Sequence, residues 1–82
     1  MFKLELEYKD EILFARLKGI LDRKASYKIN NYLNPVIKKH EIKNLVYNFE
    51  KLEMVDNSGI EALINSKYYI KCNKGVIKVC GV

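Results

Sequence analysis

The chain has 82 residues, of which 49% are hydrophobic and 30% charged. This is the balance of one small globular domain spanning 1–82 rather than of a disordered segment, and no apolar run reaches the ~18 residues that a membrane-spanning helix needs. Fifteen Lys and Arg against ten Asp and Glu leave a net charge of +5, but the lysines are scattered and no arginine-rich run accompanies them. A nucleic-acid surface is therefore not expected. The N-terminal residues Met1 to Glu5 do not read as a signal peptide, so a cytoplasmic protein is expected.

Phe2, Leu4, Leu6 and Tyr8 alternate with charged residues and predict a first strand. Lys9-Asp10-Glu11 is a polar turn into a second, more central strand over Ile12 to Leu17, antiparallel to the first. Lys18 to Asp22 is expected to leave the sheet. Asp22 can cap a helix beginning near Arg23. Ala25, Ile29, Tyr32, Leu33, Val36 and Ile37 form one apolar stripe of that helix, and Pro35 predicts a kink or break near Asn31 to Asn34. His40, at the helix end, reads as solvated.

Leu45 to Phe49 predicts a third strand, parallel to the second because a helix joins them. Glu50 to Val55 reads as a loop pinned to the core by Leu52 and Val55. A second helix follows from about Ser58 to Cys72, its apolar side carrying Ile60, Leu63, Ile64, Tyr68 and Cys72, broadened by Ala62 and Ile70. Gly75 suits a left-handed turn after that helix. Val76, Ile77, Val79 and Cys80 make the last strand. The order is β-β-α-β-α-β, an α/β fold with a mixed sheet. Cys72 and Cys80 are too far apart for a metal or redox pair and read as buried, inert thiols.

The chain is organised around the stretch from Glu53 to Ile64, where a strand passes into a helix through Asp56-Asn57-Ser58-Gly59-Ile60-Glu61. A helix start is a natural anion site, because its first N–H groups are unpaired and the macrodipole is positive there. Ser58-Gly59-Ile60-Glu61 also matches the capping box S-x-x-E, in which the serine accepts from the N–H of Glu61 and the glutamate reaches back. Capping alone accounts for a serine here, and a phosphate acceptor is the second reading. Asp56 can serve as a loop or cap carboxylate. No nucleophile–base pair, metal cluster or glycine-rich phosphate loop is visible, so no enzyme, cofactor or metal is expected.

Asn44 to Phe49, then Asp56-Asn57-Ser58-Gly59-Ile60, then Lys78-Val79-Cys80-Gly81-Val82, is similar to the core signature of the STAS family of sulfate-transporter and anti-sigma-factor-antagonist domains. Gly19-Ile20-Leu21-Asp22 resembles the family's turn into its first helix. The resemblance implies a bacterial protein-interaction module of sporulation or stress response. Ser58 would be phosphorylated by a GHKL-type serine kinase that is also the anti-sigma factor, and a phosphatase would reset it. Asp22, Asp56, Asn57, Ser58, Gly59 and Glu61 would meet the partner, with Asp56 orienting the loop or the serine hydroxyl and Gly59 allowing close approach. The alternative is a STAS scaffold that is never phosphorylated, in a stressosome-like or transporter-associated complex. The family typically continues through a further C-terminal helix that this sequence lacks, so an apolar face left uncovered is expected, with either self-association through it or a sequence cut short of its natural end.

Overall fold

Strand β1 spans Lys3–Lys9 and β2 Ile12–Leu21 in the computed structural model, which describes residues 1–81. Val82, the last residue of the motif quoted above, lies outside the described residues. Asp10 and Glu11 both take positive φ, 52° and 64°, so a two-residue turn joins the strands with the twist a hairpin requires. Strand β3 spans Asn44–Val55 and β4 Val76–Cys80, each parallel to its predecessor in a sheet ordered β1-β2-β3-β4. The mixed sheet with helical crossovers is the one expected.

Two strands are longer than the alternation suggests. The chain does not leave the sheet at Lys18, and Glu50 to Val55 is not a loop, because Ile20 pairs with Met54 and Leu21 with Val55. Register shifts between Arg16 and Lys18 and between Gly19 and Ile20 interrupt this pairing. A bulge breaks the period of two, so the strand ends lose their pattern in the sequence. Val55, expected to anchor the core, is exposed, while Leu52 is half-buried.

Leu13, Ala15, Leu17, Leu21, Leu45 and Tyr47 are buried on the sheet face that carries the helices. The opposite face is open and bears the ion pairs Arg16–Glu7 at 3.1 Å and Lys18–Glu5 at 3.2 Å. The Lys18 ammonium, which donates to Glu5, holds that carboxyl below its ordinary range.

Helix α1 (Arg23–Lys28), a π-helical turn (Ile29–Leu33) and α2 (Asn34–Lys39) follow one another without interruption. The irregularity expected from Pro35 near Asn31 to Asn34 takes the form of this π-helical turn and not of a break in the chain of helical turns. Proline lacks an N–H and its ring crowds the carbonyl four residues earlier; a wider turn makes room for it. The Asn34 N–H accordingly donates to the Ile29 carbonyl, five residues back. The wide turn also resets the buried face to Ala25, Ile29, Leu33 and Ile37, and Tyr32, expected in the stripe, is 67% exposed.

Helix α3 spans Asn57–Cys72, and its buried residues are Gly59, Ala62, Ser66 and Ile70. This departs from the expected face. Ile60, Ile64 and Tyr68 are exposed at 47%, 58% and 63%, and Leu63 is only half-buried. The helix lies too close to the sheet for large side chains: a Cβ on Gly59 would stand 2.6 Å from the Leu21 carbonyl oxygen. Cys72 and Cys80 are both exposed, on the outer side of α3 and on the edge strand, so the buried-thiol expectation fails. After α3, Lys74 and not Gly75 takes the left-handed conformation. Gly75 is required for another reason, since a Cβ there would meet the Lys43 carbonyl oxygen at 2.1 Å. Its N–H donates to the Ile70 carbonyl at 2.9 Å and closes the helix end.

A buried polar chain ties the layers together. The Tyr47 hydroxyl pairs with Ser66 at 2.6 Å, Ser66 donates to the Asn34 side-chain carbonyl, and the Asn34 amide donates to Asn30 at 3.1 Å. Burial raises the Tyr47 phenol above its ordinary titration range, against the opposing pull of Ser66.

Candidate functional site

Two helix starts lie side by side where β2 and β3 end. Leu21 and Val55 are register partners, and Asp22 and Asp56 follow them. The Asp22 carboxylate accepts from the Ala25 N–H at 2.9 Å, and the Asp56 carboxylate accepts from the Gly59 N–H at 2.9 Å. The Asp56 N–H donates to the Leu21 carbonyl at 3.1 Å and joins the two caps. Parallel strands ending together bring both positive helix ends to one rim, the edge of an α/β sheet where binding sites concentrate.

The capping role expected of Asp22 is therefore present. The capping box expected of Ser58 and Glu61 is not formed: α3 begins two residues earlier, with Asp56 as its cap in extended backbone at φ −99° and ψ −178°. Ser58 becomes the second residue of the helix, half-buried, with no capping duty. It lines a groove of about 270 Å³ between α1 and α3, with Arg23, Tyr27 and Asn31 on one wall and Glu61 and Asn65 on the other. Arg23 is the cation of that groove and Glu61 its anion. Asn57, Glu61, Asp22 and Asp56 are exposed. Gly59 is buried against Leu21, so its missing side chain serves internal packing and is not open to a partner. The structure thus brings all six expected residues to one rim and turns one of them inward.

Sequence reasoning missed the apolar surroundings. Ile20, Met54, Val55 and Ile60 are exposed at 41%, 64%, 37% and 47%. Ile20 and Met54 are register partners one step before the caps, and Ile60 lies in the first turn of α3. They form an apolar collar beside the caps, invisible in the sequence because the bulges hide the strand ends. Among the described residues no cluster of His, Cys, Asp and Glu is arranged to hold a metal ion. No helix among them is long and apolar enough to cross a membrane.

The sequence profile of the STAS domain matches residues 3–82. The chain is 25% identical over 80 residues to the anti-sigma F factor antagonist of Paenibacillus polymyxa, covering 98% of this chain and 68% of that protein. The fold is similar to the anti-sigma factor antagonist SpoIIAA in its unphosphorylated form, with a TM-score of 0.81 at 25% identity over 96% of this chain and 71% of that one. The phosphorylated form of the Bacillus cell-fate determinant SpoIIAA gives 0.78 at 25% identity, over 98% and 70%. A STAS domain from Rhodobacter sphaeroides, an anti-sigma-factor antagonist, gives 0.74 at 13% identity over 99% and 87%, a likeness of fold alone. With its β-β-α-β-α-β order, paired helix caps and matched profile, this chain belongs to the STAS domain family.

Proposed function

We propose that the chain is an anti-sigma factor antagonist-like interaction module, acting in the cytoplasm, whose docking rim is switched by phosphorylation of Ser58. The observation that carries this reading is the division of labour at the start of α3. Asp56 caps the helix, and the Ser58 hydroxyl, two residues on, is left uncommitted at the mouth of the groove. A serine needed as a cap would lose its structural role on modification; this one would not.

The chemistry follows from the surroundings. The Ser58 oxygen attacks the γ-phosphorus of ATP held by the partner kinase, ADP leaves, and the hydroxyl proton passes to a base on that kinase. The product carries roughly −1.5 to −2 charges, held locally by the positive end of α3 and by Arg23 across the groove. Docking on the collar of Ile20, Met54, Val55 and Ile60 removes water from this rim. A phosphate at its centre must then be desolvated, and Glu61 adds like charge beside it, so the modified form is released. A phosphatase acting on the phosphoserine restores binding.

The test is capture of a purified GHKL-type anti-sigma kinase by wild type, Ser58→Ala and Ser58→Asp. The first two retain it and the third loses it. Equal retention by Ser58→Asp overturns the switch. Absence of phosphate at Ser58 after incubation with kinase and ATP, read by mass spectrometry, would favour an unmodified scaffold instead.

A further inference from the structure

The lysines that look scattered along the sequence are not evenly spread over the surface. Residues 23–40 carry Arg23, Lys24, Lys28, Lys38 and Lys39 and no Asp or Glu, while the remaining ten cations and ten acids of the chain cancel. The net charge of +5 therefore belongs to the continuous helical layer of α1, the π-helical turn and α2. All five of these cations are exposed. The ion pairs among the described residues, Arg16–Glu7 and Lys18–Glu5, leave them unneutralised.

Helical geometry sorts these charges into lines. The buried line is Ala25, Ile29, Leu33 and Ile37, one residue in four, because the wide π-helical turn corrects the drift of the α-helix. The same step of four puts Arg23, Tyr27, Asn31, Pro35 and Lys39 on the outer crest and Lys24, Lys28 and Tyr32 on the shoulder beside β1, all exposed. Below the shoulder lies a hollow of about 420 Å³ walled by Lys3, Leu4, Leu6, Lys28 and Tyr32. Strand β1 adds no acid to it, since Glu5 and Glu7 lie on the other face of the sheet with Lys18 and Arg16. Tyr27 and Tyr32 are 71% and 67% exposed, with Lys28 between them.

Cations alternating with open aromatic faces match a chain in which phosphates alternate with planar bases. A lipid surface would need aliphatic side chains on the crest; Asn31 and Pro35 stand there, and Ile29, Leu33 and Ile37 are turned into the core. An acidic polypeptide would pair with the lysines and leave both rings without planar partners. A duplex keeps its bases stacked on one another and cannot offer them to tyrosine. From Arg23 to Lys39 the layer runs about 24 Å at ~1.5 Å per residue, room for roughly four nucleotides, the small end of single-strand sites.

We infer that the outer side of this helical layer binds single-stranded nucleic acid, RNA or DNA. Phosphates lie along Lys24, Lys28 and Lys39, and bases stack on Tyr27 and on Tyr32 at the mouth of its hollow. The surface adjoins the Ser58 groove at Arg23 and makes no use of Ser58.

Fluorescein-labelled strands of about twelve nucleotides, an unstructured RNA and a DNA of the same sequence, serve as probes in anisotropy titrations against the full chain. Saturable binding of either strand is expected, and the ratio of the two affinities shows which sugar is preferred. Three phosphate contacts predict a slope of about −2 in log affinity against log salt, and Lys28→Gln should reduce it by about 0.7. Tyr27→Ala and Tyr32→Ala should each weaken binding at least about fivefold with the slope unchanged, the mark of a lost stack. Lys78→Glu, on the other face of the sheet, should change binding by less than about twofold. Circular dichroism melting shows each variant folded. Ser58→Ala binds like wild type, so failure of the phosphorylation switch and failure of this surface are read separately. The inference is overturned if neither strand binds at low salt, or if the duplex of the same sequence binds as well. It is equally overturned if the tyrosine variants bind like wild type, if Lys78→Glu costs as much as Lys28→Gln, or if phosphatidylserine vesicles or an acidic peptide displace the strand at lower charge concentration.

Discussion

Aspartate rather than serine caps α3, and the difference is measurable. Replacing Asp56 by Ala removes the acceptor for the Gly59 N–H and is expected to cost about 1 kcal/mol in urea unfolding. Ser58→Ala should fall within about 0.5 kcal/mol of wild type, as expected of a position without such a role. A capping box would reverse that order. Gly59 gives a sharper case. Alanine is the better helix former by about 1 kcal/mol. At this position, however, its Cβ would press on the Leu21 carbonyl oxygen and side chain at 2.6 and 2.7 Å. Overpacking of that kind costs about 1–3 kcal/mol, so Gly59→Ala should lower the urea midpoint despite its propensity. Asp22 was legible as a cap because it stands alone before a helical pattern. Asp56 and Ser58 compete for one helix start, and only the backbone conformation at Asp56 decides between them.

At the scale of elements, α3 and the π-turn show how packing overrides pattern. Hydrophobicity selects Ile60, Ile64 and Tyr68 for the core, whereas close approach to the sheet selects Gly59, Ala62 and Ser66. Ser66 is buried because Tyr47 and Asn34 satisfy it. Ser66→Ala leaves the Tyr47 hydroxyl buried without its partner and should destabilise by about 1–3 kcal/mol. Adding Tyr47→Phe removes that orphan, so the double variant should lose less than the sum of the two single losses in equilibrium unfolding. The helix over Arg23 to Lys39 was legible in extent. Its π-turn was not, since nothing local distinguishes a proline that breaks a helix from one that a wider turn absorbs.

For the molecule as a whole, the buried phenol links stability to alkaline pH. Folding raises the Tyr47 value above the ordinary 10.0, so the neutral form is favoured in the folded state. The unfolded chain therefore loses this proton first as pH rises. The stabilisation is fully present below pH 10.0 and declines above it. Thermal melts across that range should show a falling midpoint, and Tyr47→Phe should flatten the fall.

The sequence by itself determined the order of strands and helices, the parallel and antiparallel pairings, the cap at Asp22 and the rim where Ser58 sits. These depend on short-range alternation, helical spacing and the handedness of crossovers, which neighbouring residues encode. Tertiary structure alone decided which face of α3 is buried, how far β2 and β3 extend, and that Ser58 is released from capping. Those outcomes turn on distances between segments far apart in the chain: Gly59 against Leu21, Ser66 against Tyr47, Gly75 against Lys43. Where two backbones come within touching distance, space and not hydrophobicity chooses the side chain, and no window of neighbouring residues contains that distance.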